Sequence, residues 1–322
     1  MEEKISILMP TYNSEKTIKE TLNCILNQSY KNIEVLIIDD GSKDSTADII
    51  KSYMKDDERI VLHQRENKGV AITRNELVEK CRTNYFVFID SDDIVSEKYI
   101  EILYTVLKEN NADIVSCEIT FNRDDLLNDK FEKKVLNREE GLEKLLYQKE
   151  IQNGPTCKLY SKKCFEGVRF PEGVIYEDLG TIYKLIHNSD IIVTTTFRGY
   201  YYNRVEGSIT RSKFSEREIV MVDFSLEIYD FIMKEYSNNN ALIKAAENMV
   251  VTQAIYFTIK APYKVLKEKP RVKENIIKYR KNVLKDEKAF RKTKLYIRSS
   301  YLGITGIKLA NWFLSLIGKG EK

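Results

Sequence analysis

Across residues 1–120, short apolar runs alternate with amphipathic stretches, and this alternation restricts the fold more than any other feature. The runs are Ile5–Met9, Ile33–Asp39, Ile60–His63, Tyr85–Asp90 and Asp113–Cys117. They are short, rich in β-branched residues and almost uninterrupted, as strands covered on both faces must be. Between them lie Glu15–Leu26, Thr46–Tyr53, Val70–Glu79 and Glu97–Glu109, which read as helices. Alternating strand and helix predicts an α/β fold: a mostly parallel, Rossmann-like sheet flanked by helices. Ligands of such sheets bind outside the carboxyl ends of the strands.

Beyond residue 120 the pattern changes. Leu136–Gln148 reads as a helix, 153–163 as a loop leading into a strand, and Ile175–Asn188 as the start of another helix. From Phe214 onward apolar residues recur at three and four until Pro262 and Pro270 interrupt them, which predicts a helical C-terminal region over 213–322. Charge divides the chain as well. Residues 260–298 hold 15 Lys and Arg against 4 Asp and Glu, a local excess of +11, while the first 259 residues carry a net −10. The five cysteines form no CxxC pair and the two histidines stand far apart, so neither a zinc site nor a disulfide framework is expected. With no basic, then apolar leader at the N-terminus, the expected location is the cytoplasm. An acidic body without a binding motif argues against nucleic acid as a partner.

Four strand ends carry unusual chemistry. After the first strand comes "PTYN", after the second "DDGSKDST", after the third "RENKGVAITRN", and the fourth runs into "FIDSDD". A parallel sheet gathers these ends on one edge, bringing together an aromatic ring (Tyr12), carboxylates (Asp39, Asp40), a glycine turn with Lys68 and Arg74, and the cluster Asp90, Asp92 and Asp93. A ring to stack on a base, cations for phosphate and hard oxygen ligands for a divalent ion suit a nucleoside diphosphate. Neither GxGxxG after the first strand nor GxxxxGK[ST] occurs, which speaks against a dehydrogenase and a P-loop NTPase.

In this order and spacing, "ISILMPTYN", "IIDDGSKDST", "NKGVAITRN" and "FIDSDD" resemble the inverting glycosyltransferases of family 2, with the GT-A fold and of the bacterial surface-polysaccharide type. The resemblance implies a GT-A catalytic domain over 1–212, with a nucleotide-sugar half (1–120) and an acceptor half (121–212). It implies a UDP-sugar donor, a glycan or lipid-linked acceptor, and Mn²⁺ or Mg²⁺ held by Asp92 with support from Asp90. Pro10, Thr11 and Tyr12 would line the base, with Asp40 accepting from it and Asp39 bracing the loop. Asn67, Lys68 and Arg74 would face ribose or diphosphate, and Asn13, Gly69 and Ser91 complete the nucleotide-sugar set. "YEDLG" resembles the family's ED motif, making Asp178 the expected catalytic base with Glu177 beside it. "YYYNRVEGSIT" resembles the segment that closes over the diphosphate, through Arg204 and Ser208. Asp93 is equally suited to a role in the site and to capping the helix that follows.

One departure concerns the acceptor. Where relatives often carry Trp two residues before the Lys of "CKLYSKK", this chain has Thr156, with Lys158 left to bound the site. Rival expectations are a nucleotidyltransferase, which lacks its glycine-rich signature here, and a sugar-nucleotide-binding scaffold without catalysis. The stretch Tyr301–Gly320, apolar and Trp-bearing, follows the basic stretch but is too short and glycine-broken to span a bilayer. It suits either a peripheral anchor on an anionic inner leaflet or a helix docked on protein, including a second copy in a homodimer.

Overall fold

The computed structural model describes residues 3–203 and 214–318. Two compact units divide the chain: 1–141, 150–173 and 181–208 form the first, and 142–149, 174–180 and 209–322 the second. The expected boundary between 212 and 213 is therefore interleaved, because two short segments from the middle of the chain join the C-terminal unit.

The first unit contains an eight-stranded sheet in the order β3-β2-β1-β4-β9-β6-β10-β8. Its strands are β1 (Ile5–Thr11), β2 (Ile33–Asp39), β3 (Ile60–Gln64), β4 (Tyr85–Phe88), β6 (Ile114–Ser116), β8 (Lys133–Asn137), β9 (Lys158–Ser161) and β10 (Ile191–Thr195). All seven residues of β1 are buried, as continuous apolar runs require. Helices α1 (Ile18–Leu26), α2 (Thr46–Met54), α3 (Val70–Lys80) and α4 (Tyr99–Asn110) make the crossovers. In α1 the buried residues are Ile18, Thr21, Leu22 and Ile25, the three-and-four spacing of one helix face.

The sheet departs from a uniformly parallel one in two places. β9 runs antiparallel between β4 and β6, and β8 lies antiparallel to β10. A small second sheet pairs β5 (Ile94–Val95), β11 (Tyr200–Tyr201) and β7 (Ile119–Thr120), with β11 in the middle. Under the junction of β4 and β9, Phe86, Phe88, Tyr160, Phe165 and Phe170 form a ring cluster with centroids 5.1–6.3 Å apart. Each such pair adds roughly 0.5–1.5 kcal/mol beyond area burial.

The second unit is helical: α7 (Val220–Glu235), α8 (Asn240–Lys260), α9 (Tyr263–Glu268), α10 (Pro270–Lys285), α11 (Arg291–Ser299) and α12 (Gly303–Leu316). Helix α8 is its axis, with 13 of 21 residues buried, and it is capped by Asn239, whose side chain accepts from Ala241 N and Leu242 N. Pro270 opens α10 at its first turn, where no backbone donor is lost. Segment 142–149 is fastened to this unit by Tyr147, whose hydroxyl donates to Asp286 Oδ2 at 2.5 Å.

Candidate active site

Register brings the predicted strand ends to one edge. Thr11 at the end of β1 pairs with Asp39 at the end of β2, Asp39 pairs with Gln64 of β3, and Leu8 pairs with Phe88 of β4. The loops leaving this edge are stitched to each other. Asp40 N donates to Thr11 O (2.9 Å), Asn13 N to Ser42 Oγ (2.9 Å), Lys43 N to Asn13 Oδ1 (2.8 Å) and Ser14 N to Thr46 Oγ1 (2.7 Å). Pro10 and Thr11 are buried beneath these loops, whereas the Tyr12 ring is 49% exposed.

The adjacent carboxylates Asp39 and Asp40 do different work. Asp39 is 1% exposed and accepts from Ser42 N (3.0 Å), Ser42 Oγ (2.5 Å) and Gln64 Nε2 (3.3 Å), so it holds its own turn. Asp40 reaches across to the next loop, accepting from Lys68 N and Gly69 N at 2.8 Å each and pairing with Arg65. Arg65 also donates to Glu76 Oε2 (3.0 Å) and Thr73 Oγ1 (2.8 Å), which locks the turn 65–69 onto the first turns of α3. Charge-assisted bonds of this kind are roughly twice as strong as neutral ones. Asn67 and Lys68 remain exposed on the outside of that turn. Gly41 makes the close approach of the two loops feasible: its φ is +79°, and a Cβ there would lie 2.8 Å from Asn67 N. The sequence reading assigned no role to Arg65; its signal was its position next to a strand end that faces two carboxylates.

At the fourth strand end three carboxylates stand within four residues, and each meets a different environment. Asp90 Oδ1 accepts from Arg74 Nη2 at 3.3 Å, and Arg74 is buried, with its guanidinium 5.8 Å from the Phe170 ring centroid. Asp93 is 1% exposed, its oxygens accepting from the Tyr200 hydroxyl (2.7 Å) and Asn203 N (2.9 Å). The Tyr200 hydroxyl also accepts from Asp90 N at 3.3 Å. Asp93 is thus no helix cap: β5 follows it directly and α4 starts only at Tyr99. Ser91 is pinned from α1 and its approach, with Thr17 Oγ1 and Thr21 Oγ1 donating to its carbonyl (3.0 and 3.1 Å) and Ser14 Oγ 2.7 Å from its hydroxyl.

Asp92 is the exception. It is half-buried, and among the described residues no donor of another residue reaches its carboxylate. Burial, followed by the charge of Asp90, pushes its pKa up to about 6. Burial, followed by Asp90 and Asp92, pushes Asp93 up to about 8. Among the described residues no three metal-capable side chains converge. One or two carboxylates nevertheless suffice for a divalent ion whose remaining ligands are substrate phosphates and water, and the half-buried Asp92 fits that use.

Glu177 and Asp178 belong to the second unit. They lie in a turn rather than the expected helix, since α6 (Ile182–His187) begins only four residues after Asp178. Tyr176, with φ +60°, opens this turn, and Leu179 N donates to Asp178 Oδ1 at 2.8 Å. The Tyr176 hydroxyl donates to Glu218 Oε2 (3.3 Å), and Lys260 of α8 pairs with the same oxygen at 2.9 Å. This Tyr176–Glu218–Lys260 anchor left no signal in the sequence. Lys158 is 1% exposed, and its Nζ donates to Gly154 O (2.6 Å) and Thr156 O (3.4 Å), inside its own loop rather than at an open edge. Arg204 and Ser208 lie outside the described residues.

Comparison with known proteins agrees with this architecture. The family model for glycosyl transferase family 2 matches residues 6–169, ending before Glu177. Glycosyltransferase GlyG of Streptococcus pneumoniae is 35% identical over 251 residues, covering 72% of this chain and 82% of that protein. The putative teichuronic acid biosynthesis glycosyltransferase TuaG of Bacillus subtilis is 36% identical over 118 residues, 36% of this chain and 45% of that protein. Among solved structures, residues 1–349 of S. aureus TarS in complex with UDP-GlcNAc superpose with a TM-score of 0.68, covering 99% of this chain and 93% of that one. At 19% identity that likeness speaks for the fold, which is the GT-A fold of glycosyltransferases.

Proposed function

The chain belongs to glycosyl transferase family 2 and is a glycosyltransferase; we propose that it moves a sugar from a UDP-sugar, with inversion, onto a hydroxyl of a bacterial surface glycan or its lipid-linked precursor. The observation that carries this reading is the Asp92 carboxylate beyond the carboxyl end of β4, half-buried and, among the described residues, reached by no donor of another residue. The UDP-GlcNAc in the TarS neighbour and the teichuronic acid role in the name of TuaG support the donor and the product class.

In this reading the exposed Tyr12 ring stacks on the base above Pro10 and Thr11. Asp40 already holds Arg65 and two backbone N–H groups, so its part is to fix the turn from which Asn67 and Lys68 face ribose and diphosphate. Arg204 and Ser208 complete the phosphate contacts. Asp92, with Asp90 beside it, would hold Mn²⁺ or Mg²⁺, which when bound neutralises charge on the departing diphosphate. Asp178 takes the proton from the acceptor hydroxyl as that oxygen attacks the anomeric carbon. The bond from the anomeric carbon to the diphosphate oxygen breaks on the opposite face, and UDP leaves.

The test is release of UDP from candidate UDP-sugars with Mn²⁺ and acceptor. Asp178→Asn should lower transfer by roughly 10²–10⁴-fold, the usual worth of a general base, while UDP still binds. Undiminished transfer by that variant overturns the base assignment. A native protein that binds UDP yet turns over no donor is the scaffold, and one that instead joins a nucleoside triphosphate to a sugar phosphate is a nucleotidyltransferase.

A further inference from the structure

Helix α12 is built with its one charge turned inward. It packs through Gly306 and Ile307, and Lys308 Nζ donates to the carbonyls of Ile259 (3.1 Å) and Ala261 (2.7 Å) at the end of α8. The exposed side of the helix carries Leu309, Trp312, Phe313 and Leu316, which are 50%, 56%, 61% and 64% exposed, and Leu302, 78% exposed, stands just before its first turn. Spacings of three, four and seven put these side chains on one stripe. A helix face of a soluble protein normally meets water with charged residues; this one offers four large apolar groups.

The segment leading into α12 exposes cations. On α11 the exposed residues Arg291, Leu295 and Arg298 follow the same helical spacing and lead into Leu302. Arg280 sits 3.9 Å over the ring of Tyr301, itself 55% exposed. Residues 288–320 contain no Asp or Glu. No helix among the described residues is long and apolar enough to cross a membrane.

We propose that this face is a membrane-docking surface, with α12 lying flat in the headgroup layer of a bilayer rich in anionic lipid. Apolar side chains enter the acyl boundary while the arginines stay at the phosphate level. Charge decides between lipid and a second copy of the chain. Two copies meeting through this stripe about a twofold axis would bring their arginines together, with no carboxylate in the stretch to offset them. An anionic surface has the opposite sign. The inference is independent of the donor chemistry proposed above.

Trp312 is the only tryptophan of the chain, so its emission reports on this face directly. With the full chain, vesicles of phosphatidylcholine containing phosphatidylglycerol should shift its emission to the blue, and brominated acyl chains should quench it. Phosphatidylcholine alone should do neither, and salt at about 0.5 M should weaken the effect, because the Debye length shrinks. Leu309→Ser with Phe313→Ser should cut vesicle flotation at least ~10-fold, several buried methylenes being lost, without lowering the melting temperature. Arg291→Glu with Arg298→Glu should abolish the preference for phosphatidylglycerol. Trp312 emission indifferent to anionic vesicles overturns the proposal. So does a blue shift without lipid that grows with protein concentration and tracks dimer formation by light scattering.

Discussion

Tyr200→Phe tests how the three clustered carboxylates are held. The hydroxyl it removes donates to Asp93 Oδ2 at 2.7 Å and accepts from Asp90 N at 3.3 Å. The ring stays: Tyr200 is fully buried, with Tyr99 edge-on at 6.0 Å, so the substitution opens no cavity larger than one oxygen. What remains is a buried Asp93 carboxyl held, among the described residues, by Asn203 N, and an Asp90 N–H that loses a long, weak bond. Leaving a buried acceptor unmet costs about 1–3 kcal/mol, with the Asp90 bond adding little. At about 2–4 °C per kcal/mol for a domain of this size, a loss of about 2 kcal/mol lowers the melting temperature by about 4–8 °C. A merely structural role would end there. Because the same hydroxyl touches both Asp93 and the backbone of Asp90, on either side of Asp92, the proposed metal role adds a second expectation: the Mn²⁺ concentration for half-maximal UDP release should also rise. Tyr99→Phe is the control: its hydroxyl is buried without a hydrogen-bond partner among the described residues, so its removal should leave the melting temperature unchanged or raise it. If Tyr200→Phe melts with the native protein and keeps its Mn²⁺ dependence, Tyr200 does not organise this loop.

Two further perturbations probe other parts of the structure. Gly41→Ala forces a side chain into the left-handed region, at about 1–2 kcal/mol, with its Cβ 2.8 Å from Asn67 N. It should weaken UDP binding as measured by calorimetry, and native affinity would show that the 41 and 65–69 loops do not act together. Glu247→Gln addresses pH: Glu247 of α8 is 8% exposed, accepts from Asn282 Nδ2 at 2.9 Å, and is held above the usual carboxylate range by burial and then by Asp286. Because its folded pKa lies above the unfolded one, the ionised form costs stability at neutral pH, and that cost fades as pH falls through the folded pKa. Glu247→Gln should therefore melt higher than the native protein at neutral pH, with the gain vanishing towards about pH 4; a gain independent of pH would refute the charge explanation.

What could be read from the sequence was whatever a single element encodes by itself. The bounds of β2, Ile33–Asp39, coincide with the run that predicted it, because burial on both faces leaves an uninterrupted apolar string. The direction of β9 was not legible, since a fully buried strand reads the same either way and only its connections set its sense. The ED turn was taken for a helix start because Ile182, Leu185 and Ile186 carry helical spacing, which extends no further back than Thr181.

At the acidic cluster the same limit decides the chemistry. Spacing alone gives three like charges in four residues, with no means of ranking them. The family resemblance puts Asp92 first; the physical difference among the three comes from partners far along the chain: Arg74, 16 residues before Asp90, and Tyr200 and Asn203, 107 and 110 residues after Asp93. Once Arg74 engages Asp90, and Tyr200 with Asn203 holds Asp93, Asp92 alone has neither full solvent nor, among the described residues, a donor from another residue. A carboxylate left so, beside another, is stabilised by a cation brought from outside. By engaging its neighbours the fold leaves Asp92 the least engaged of the three carboxylates, which is the ground for proposing it as the metal ligand.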